Sequence, residues 1–247
     1  MHTGKKIKID LKSHLTGEVL FSFEKENNTI KDTVEEAVRR LALLTCVDLK
    51  GSDLQGSHLR LANLIGADLS NANLRNVNLQ YADLSEANLT NTDLSCADLR
   101  GTNCEHAIFK GAKCENTNFN HANLQHVINA PYIPMACPEK GEFVGWKRAK
   151  CSFHDGEYIV KLLIPADAKR SSATTNKCRC SNAKVLKIYE IWTGKEVNMV
   201  INSNYNRTIY KVGEYVYPDY FDDDRWYECS HGIHFFMTEE EALDYYA

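Results

Sequence analysis

The sequence predicts a mainly β chain built around a solenoid, with a hairpin and helix before it and a small α+β domain after it. Leucine recurs every five residues from Leu49 to Leu99, and the same phase continues as Cys104, Phe109, Cys114, Phe119 and Leu124, sixteen units in all. Two places before these residues sits something small, as in Ala62, Ala67, Ala72 and Ala82. The rhythm then stops at Pro131, Pro134 and Pro138, and short apolar runs of strand type follow. A helix repeats at about 3.6 residues and a strand at about 2, so a strict five fits neither. A fixed internal period marks a solenoid, which serves as a scaffold more often than as an enzyme.

The first 45 residues read as a cap. Lys6-Ile7-Lys8-Ile9-Asp10-Leu11 alternates polar and apolar, as does Val19-Leu20-Phe21-Ser22-Phe23-Glu24, with Thr16-Gly17 as the turn between them. Asn28 or Thr29 caps a helix expected over about 30–44, with Ile30, Val34, Ala37, Val38, Leu41 and Leu44 at helical spacing. An open solenoid end exposes apolar core and strand edges, and this segment covers it.

Residues 46–126 form the repeat. Ala62-Asn63-Leu64-Ile65-Gly66, Ala82-Asp83-Leu84-Ser85-Glu86 and Ala97-Asp98-Leu99-Arg100-Gly101 resemble the pentapeptide-repeat family pattern A(D/N)LXX. The resemblance implies a right-handed quadrilateral β-helix with four units per coil, hence about four coils. At ~4.8 Å between strands the stack is roughly 19 Å tall. In such a coil the central Leu or Phe and the small residue point inward, and the Asp or Asn between them faces out to hydrogen-bond corner backbone. Cys104 and Cys114 then read as small buried hydrophobes. Phe109 and Phe119, half a coil apart, should face each other across the core.

Residues 127–137 read as a linker and 138–247 as the α+β domain, with strands expected at 142–147, 157–164, 184–190, 208–217 and 232–236. Thr238 with Glu241 makes a capping box for a last helix through Tyr246. Gly145-Trp146-Lys147, Lys177-Cys178-Arg179-Cys180 and Glu228-Cys229-Ser230-His231-Gly232-Ile233-His234 resemble an uncharacterised domain that follows pentapeptide repeats in phage and bacterial proteins. That resemblance implies architecture and a phage or prophage context, with no chemistry attached.

Bulk composition narrows the function classes. Nine cysteines, an odd number without a small secreted disulfide pattern, suggest reduced thiols and a cytoplasmic setting. The start lacks a hydrophobic signal core, and no apolar run is long enough to span a bilayer. Charge is uneven along the chain. Residues 127–195 carry 12 basic against 6 acidic side chains, and residues 196–247 carry 3 against 11. The repeat carries 6 against 9, a poor match to the duplex-DNA mimicry and topoisomerase inhibition that resemblance to the pentapeptide-repeat family offers as a further alternative.

Between 161 and 187 seven cations stand against one acid, Asp167, interleaved with hydroxyls. Lys169, Arg170, Ser171, Ser172, Lys177 and Arg179 are therefore candidate ligands for a phosphate-type anion, with His231 and His234 near the rim. The alternative is a solvated surface loop. No catalytic set is assigned; His231, His234 and Cys229 are the residues to watch for acid–base or nucleophilic chemistry. Cys178, Cys180, Cys229 and His231 carry zinc-ligand chemistry at spacings unlike a standard knuckle, so no metal or other cofactor is expected, zinc being the one the set would suit. Gly232-Ile233-His234-Phe235-Phe236 is loosely similar to the Gly-φ-Tyr-φ-Ala strand of ADP-ribosyltransferases, with His234 where tyrosine is expected.

The expected function is a non-enzymatic binding protein. The β-helix would be a rigid spacer or homo-oligomer platform. The C-terminal domain would bind a nucleotide-type small molecule or a host protein; no membrane partner is expected and nucleic acid is disfavoured. The competing class is an enzyme of nucleotide chemistry in the C-terminal domain, either ADP-ribosyltransferase-like or a nucleotide hydrolase.

Overall fold

A computed structural model describes residues 5–151, 156–203 and 207–245. Two compact units divide the chain, Met1–Ile133 and Pro134–Ala247. In the first, strands β1 (Lys6–Lys12) and β2 (Val19–Glu26) form an antiparallel hairpin that pairs Lys6 with Glu26 and Leu11 with Phe21. Helix α1 (Ile30–Arg39) follows. Thr29 caps it: its hydroxyl accepts from the Asp32 N–H, and the Asp32 carboxylate accepts from the Thr29 N–H. The helix is shorter than the helical spacing suggested. Leu41 adopts a left-handed conformation (φ 57°) and is 82% exposed, whereas Leu44 is fully buried. The periodic apolar pattern outlasts the helix because the chain must turn into the first coil before it can bury Leu44.

The repeat is held by parallel bridges between residues twenty apart, from Asp48 with Asp68 to Ile108 with Ile128. Each residue thus stacks on its counterpart four pentapeptides away. Leu49 to Leu99 are almost completely buried at every fifth position, as are Cys104, Phe109 and Leu124. Burial pushes the Cys104 thiol well above its usual range, and that of the partly buried Cys114 up to about 11. The Phe109 and Phe119 rings meet edge-to-face with centroids 6.2 Å apart.

Where the small position is Ser or Thr, its hydroxyl returns to a buried carbonyl. Thr92 Oγ1 donates to Leu69 O at 2.8 Å, and Ser57 Oγ to Leu54 O at 2.7 Å. In most units an Asp or Asn closes the corner by accepting the N–H two residues on, as Asp68 does from Ser70 and Asn88 from Thr90. Asparagines also reach one coil across, Asn73 Nδ2 to Asp53 Oδ1 at 2.9 Å.

The first coil has no coil before it, and the cap supplies its missing partners. Glu35 accepts from the His58 N–H at 2.8 Å, Lys31 Nζ donates to Gln55 O at 2.7 Å, and Lys12 O accepts from the Asp48 N–H at 2.8 Å.

The second unit contains nine strands and a short helix among its described residues. Its largest sheet runs in the order β10 (Tyr215–Val216), β7 (Ala183–Glu190), β4 (Glu157–Ile164), β3 (Phe143–Lys150). A three-stranded sheet runs β11 (Ile233–Phe235), β6 (Cys178–Cys180), β5 (Arg170–Ser172), and β8 (Met199–Ile201) pairs with β9 (Ile209–Lys211). Alternation on β4 turns Tyr158, Val160, Leu162 and Ile164 to the main core, where Cys178, Cys180, Ile233 and Phe235 join them from the smaller sheet. Ile159 faces the other way, toward Phe236, Ala242 and Trp146. A bridge between Trp146 and Phe236 links the two sheets.

The run expected as one strand over 208–217 is broken by Gly213 (φ 86°) into β9 and β10. Helix α2 (Glu239–Asp244) has the Thr238–Glu241 capping box, and Tyr246 lies outside the described residues. Gly145 lies against the core: a Cβ there would sit 2.6 Å from Phe235 Cδ2, and Phe235 is fully buried. Gly145→Ala is therefore expected to cost about 1–3 kcal/mol by overpacking, read as a lower melting temperature of this domain in calorimetry.

Candidate functional site

The basic stretch 161–187 is a folded part of the domain, not a solvated loop: it contains β5, β6 and most of β7. Its two arginines are turned inward, a correction to their expected role as anion ligands. Arg179 is 1% exposed and donates to Asp222 O (3.2 Å), His231 O (2.9 Å) and Asp224 O (2.7 Å). Arg170 donates to the carbonyls of Ala168, Pro138, Gly141, Pro165 and Ala166 and lies over the Phe143 ring. Guanidinium carries five donors, so Arg170 has none left over. Both arginines tie irregular segments to the sheets, because a buried loop's carbonyls need donors.

The hydroxyls are likewise internal. Ser171 and Ser172 are buried, and Ser172 Oγ accepts from the Ala136 N–H at 2.8 Å. Lys169 is exposed and paired with Asp223 at 2.9 Å. The cysteine–histidine set does not converge either. Cys178 and Cys180 face the core, while Cys229 is exposed with its sulfur 3.6 Å from Lys177 Nζ. His231 stacks on Tyr220 and shares a proton position with Asp219 at 2.9 Å. Among the described residues no group of three or more His, Cys, Asp or Glu is placed to hold a metal ion.

Three side chains, Lys177, His234 and a residue the basic-stretch reasoning missed, Lys147, lie near enough for charge on the two lysines to act on one another and on the histidine. On β3 the residues Phe143, Gly145, Lys147 and Ala149 share one face, and Phe143 and Ala149 belong to the core. Lys147 therefore projects inward from a core face, its ammonium 5.9 Å from the Tyr210 ring centroid. Among the described residues it forms no ion pair. Desolvation, with repulsion from Lys177, lowers its ammonium to about 8. The alternation Phe-x-Gly-x-Lys-x-Ala was the signal that would have found it.

Lys177 is fixed from the far side. Its Nζ donates to the Tyr245 hydroxyl at 3.0 Å and lies over that ring. Thr175, two residues before, donates to the Glu228 carboxylate. His234 is the cross-strand partner of Arg179, and its Nε2 donates to Glu228 O at 3.2 Å. A carbonyl only accepts, so Nε2 carries the proton and Nδ1 keeps a free lone pair. Burial and then the charges of Lys147 and Lys177 hold His234 down to about 3, so the ring is neutral at physiological pH. The groups include two ammoniums and one imidazole acceptor, with the Glu228 carboxylate also acting on Lys177.

The sign of the Lys147 effect is testable. Between about pH 8 and the ordinary lysine value of 10.5 the unfolded chain binds more protons than the folded one, so stability rises with pH across that window. Lys147→Met should remove that rise and raise stability at neutral pH, as read by urea denaturation at pH 7 and pH 10.

Comparison with known proteins places both units. Residues 42–80, 67–103 and 97–128 match pentapeptide repeats, and residues 133–242 match a family of unknown function (DUF5758). No curated protein matches the chain. Similar solved structures include a pentapeptide repeat protein of the Arabidopsis thaliana thylakoid lumen, at 32% identity, covering 35% of this chain and 61% of that one, with a TM-score of 0.28. Another is Rfr23 of the cyanobacterium Cyanothece 51142, at 34% identity, covering 33% and 56%, with a TM-score of 0.23. A third, from Nostoc PCC 7120, is 30% identical and covers 37% and 74%, with a TM-score of 0.13. The chain thus spans less than two thirds of the first two of these proteins. The chain belongs to the pentapeptide-repeat proteins, with a β-helical solenoid followed by a separate domain of the DUF5758 family.

Proposed function

We propose that this is a non-enzymatic binding protein in which the repeat, a right-handed four-sided β-helix of about four coils, is the scaffold and the C-terminal domain takes an anionic ligand. Lys147 carries the reading: a lysine on a core face, with no ion pair among the described residues, close enough to a second lysine and a neutral histidine for their charges to interact. A half-buried ammonium without a counter-charge is costly, and a ligand anion is the partner that would offset it. Lys147, Lys177 and His234 are the contacts, and a nucleotide or other phosphate-bearing molecule is the ligand class. A phage or prophage setting, with a host or defence component as the target, is the part of the proposal drawn from resemblance.

The enzyme reading has less to stand on. A histidine held down to about 3 is a weak base at neutral pH, and the Cys229 sulfur lies 3.6 Å from Lys177 Nζ. Calorimetric titration of inorganic phosphate, nucleotides and cyclic nucleotides into the full chain, with mass spectrometry of the products, tests the proposal. Binding without turnover, weakened about tenfold or more by Lys147→Met and by Lys177→Met, is expected. Turnover, or no binding by any of these anions, overturns it.

A further inference from the structure

The face of the four-stranded sheet that turns away from the core carries a second group of cations, outside the Lys147 set. Side chains alternate along each strand, so on β4 Ile159, Lys161 and Leu163 point away from the core residues Tyr158, Val160, Leu162 and Ile164. Register builds two rows across this face. In one, Lys161 lies between Trp146 of β3 and Lys187 of β7. In the other, Leu163 lies between Val144 and Lys184, and Lys184 is paired in turn with Tyr215 of β10. The rows are two residues apart along β4, or ~6.6 Å. Lys161 and Lys187 stand directly opposite one another, and like charges so placed destabilise a sheet. Among the described residues Lys187 has one ion pair, with Glu196 at 2.8 Å, while Lys161 and Lys184 have none. An anionic partner would offset that repulsion.

Aromatic rings are interleaved with these lysines. Lys161 Nζ lies 5.0 Å from the Trp146 ring centroid, and Lys187 Nζ 5.7 Å from that of Tyr189. At the sheet edge Tyr215 and Tyr217 are 50% and 64% exposed, their rings 28° from parallel with centroids 6.4 Å apart. Phe236 and Ala242 cover the face only at Ile159. We propose that this face binds single-stranded nucleic acid, with Lys161, Lys184 and Lys187 on the phosphates and Tyr215 and Tyr217 stacking on bases. An acidic peptide would answer the lysines and leave the exposed rings unused, and a duplex keeps the faces of its bases out of their reach. A net charge of −4 gives no sign of this, because a sum over the chain does not record which lysines meet on one sheet face.

The test titrates the full chain into fluorescein-labelled oligo(dT) and oligo(U) of about 15 nucleotides, and follows anisotropy at several salt concentrations. Binding that weakens with salt is expected, its log–log slope becoming shallower by about 0.7 in Lys161→Gln and again in Lys184→Gln. Tyr215→Ala should weaken binding about fivefold or more with the salt slope unchanged, which loss of charge alone would not do. Tyr217→Ala gives the same readout if Tyr215→Ala does not fold, as checked by circular dichroism. The proposal is overturned if neither oligonucleotide binds, or if both tyrosine variants bind like the wild type. Equal binding of a duplex of the same length or of poly-glutamate also overturns it, as does a loss in Lys147→Met that Lys184→Gln does not share.

Discussion

Leu84→Asp is expected to unfold the solenoid. Leu84 is fully buried, and the twenty-residue bridges put it over Leu64 on one side and Cys104 on the other, both also fully buried. A carboxylate there has no cation or donor to meet, and an uncompensated buried charge costs about 3–5 kcal/mol. Because each coil packs only on its neighbours, the damage spreads along the stack. Leu84→Met, which keeps the volume, should cost less than about 1.5 kcal/mol. Circular dichroism under urea measures both. An Asp variant that melts like the wild type would mean that Leu84 does not point inward.

Arg179→Met is expected to destabilise the C-terminal domain by about 1–3 kcal/mol. The substitution removes a donor from the carbonyls of Asp222, Asp224 and His231; those of Asp224 and His231 keep the N–H groups of Tyr227 and Asp222, while that of Asp222 loses its partner, and an acceptor left unsatisfied in the interior costs about 1–3 kcal/mol. Arg179→Lys should recover little, since one ammonium cannot reproduce the planar fork that reaches all three. The stacking of the guanidinium over Phe221, 5.5 Å from its centroid, is lost as well. The outcome separates two roles. An arginine that contacts ligand would lose binding and keep stability, whereas this one should lose stability first. Melting temperature and anion titration on the same variant distinguish them.

The five-residue rhythm was readable because every unit faces the same packing problem, so the same answer repeats. The corner hydrogen bonds of Asp and Asn followed from the same regularity. The end of α1 was not readable, because Leu41 and Leu44 keep helical spacing after the chain has left the helix. In the C-terminal domain, β5 (Arg-Ser-Ser) and β6 (Cys-Arg-Cys) are three residues each, too short to show an apolar alternation, so they read as loop. Arg170 and Arg179 looked like surface donors because sequence carries no record of which carbonyls a fold leaves without partners. Lys147 was hidden by the opposite effect: it lies outside the basic stretch, and only its strand alternation marks it as inward-facing.

The central claim is that Lys147 and Lys177 hold a positive field on His234 that a ligand anion would answer. The most direct measurement is the imidazole chemical shift of His234, followed by NMR against pH with and without inorganic phosphate or a nucleotide. The field predicts a His234 ring that stays neutral through pH 5, titrates near 3, and moves upward when the anion binds. In Lys147→Met the anion-free value should already be higher. A His234 that titrates near the ordinary 6.5 and is indifferent to both the anion and Lys147→Met would contradict the account.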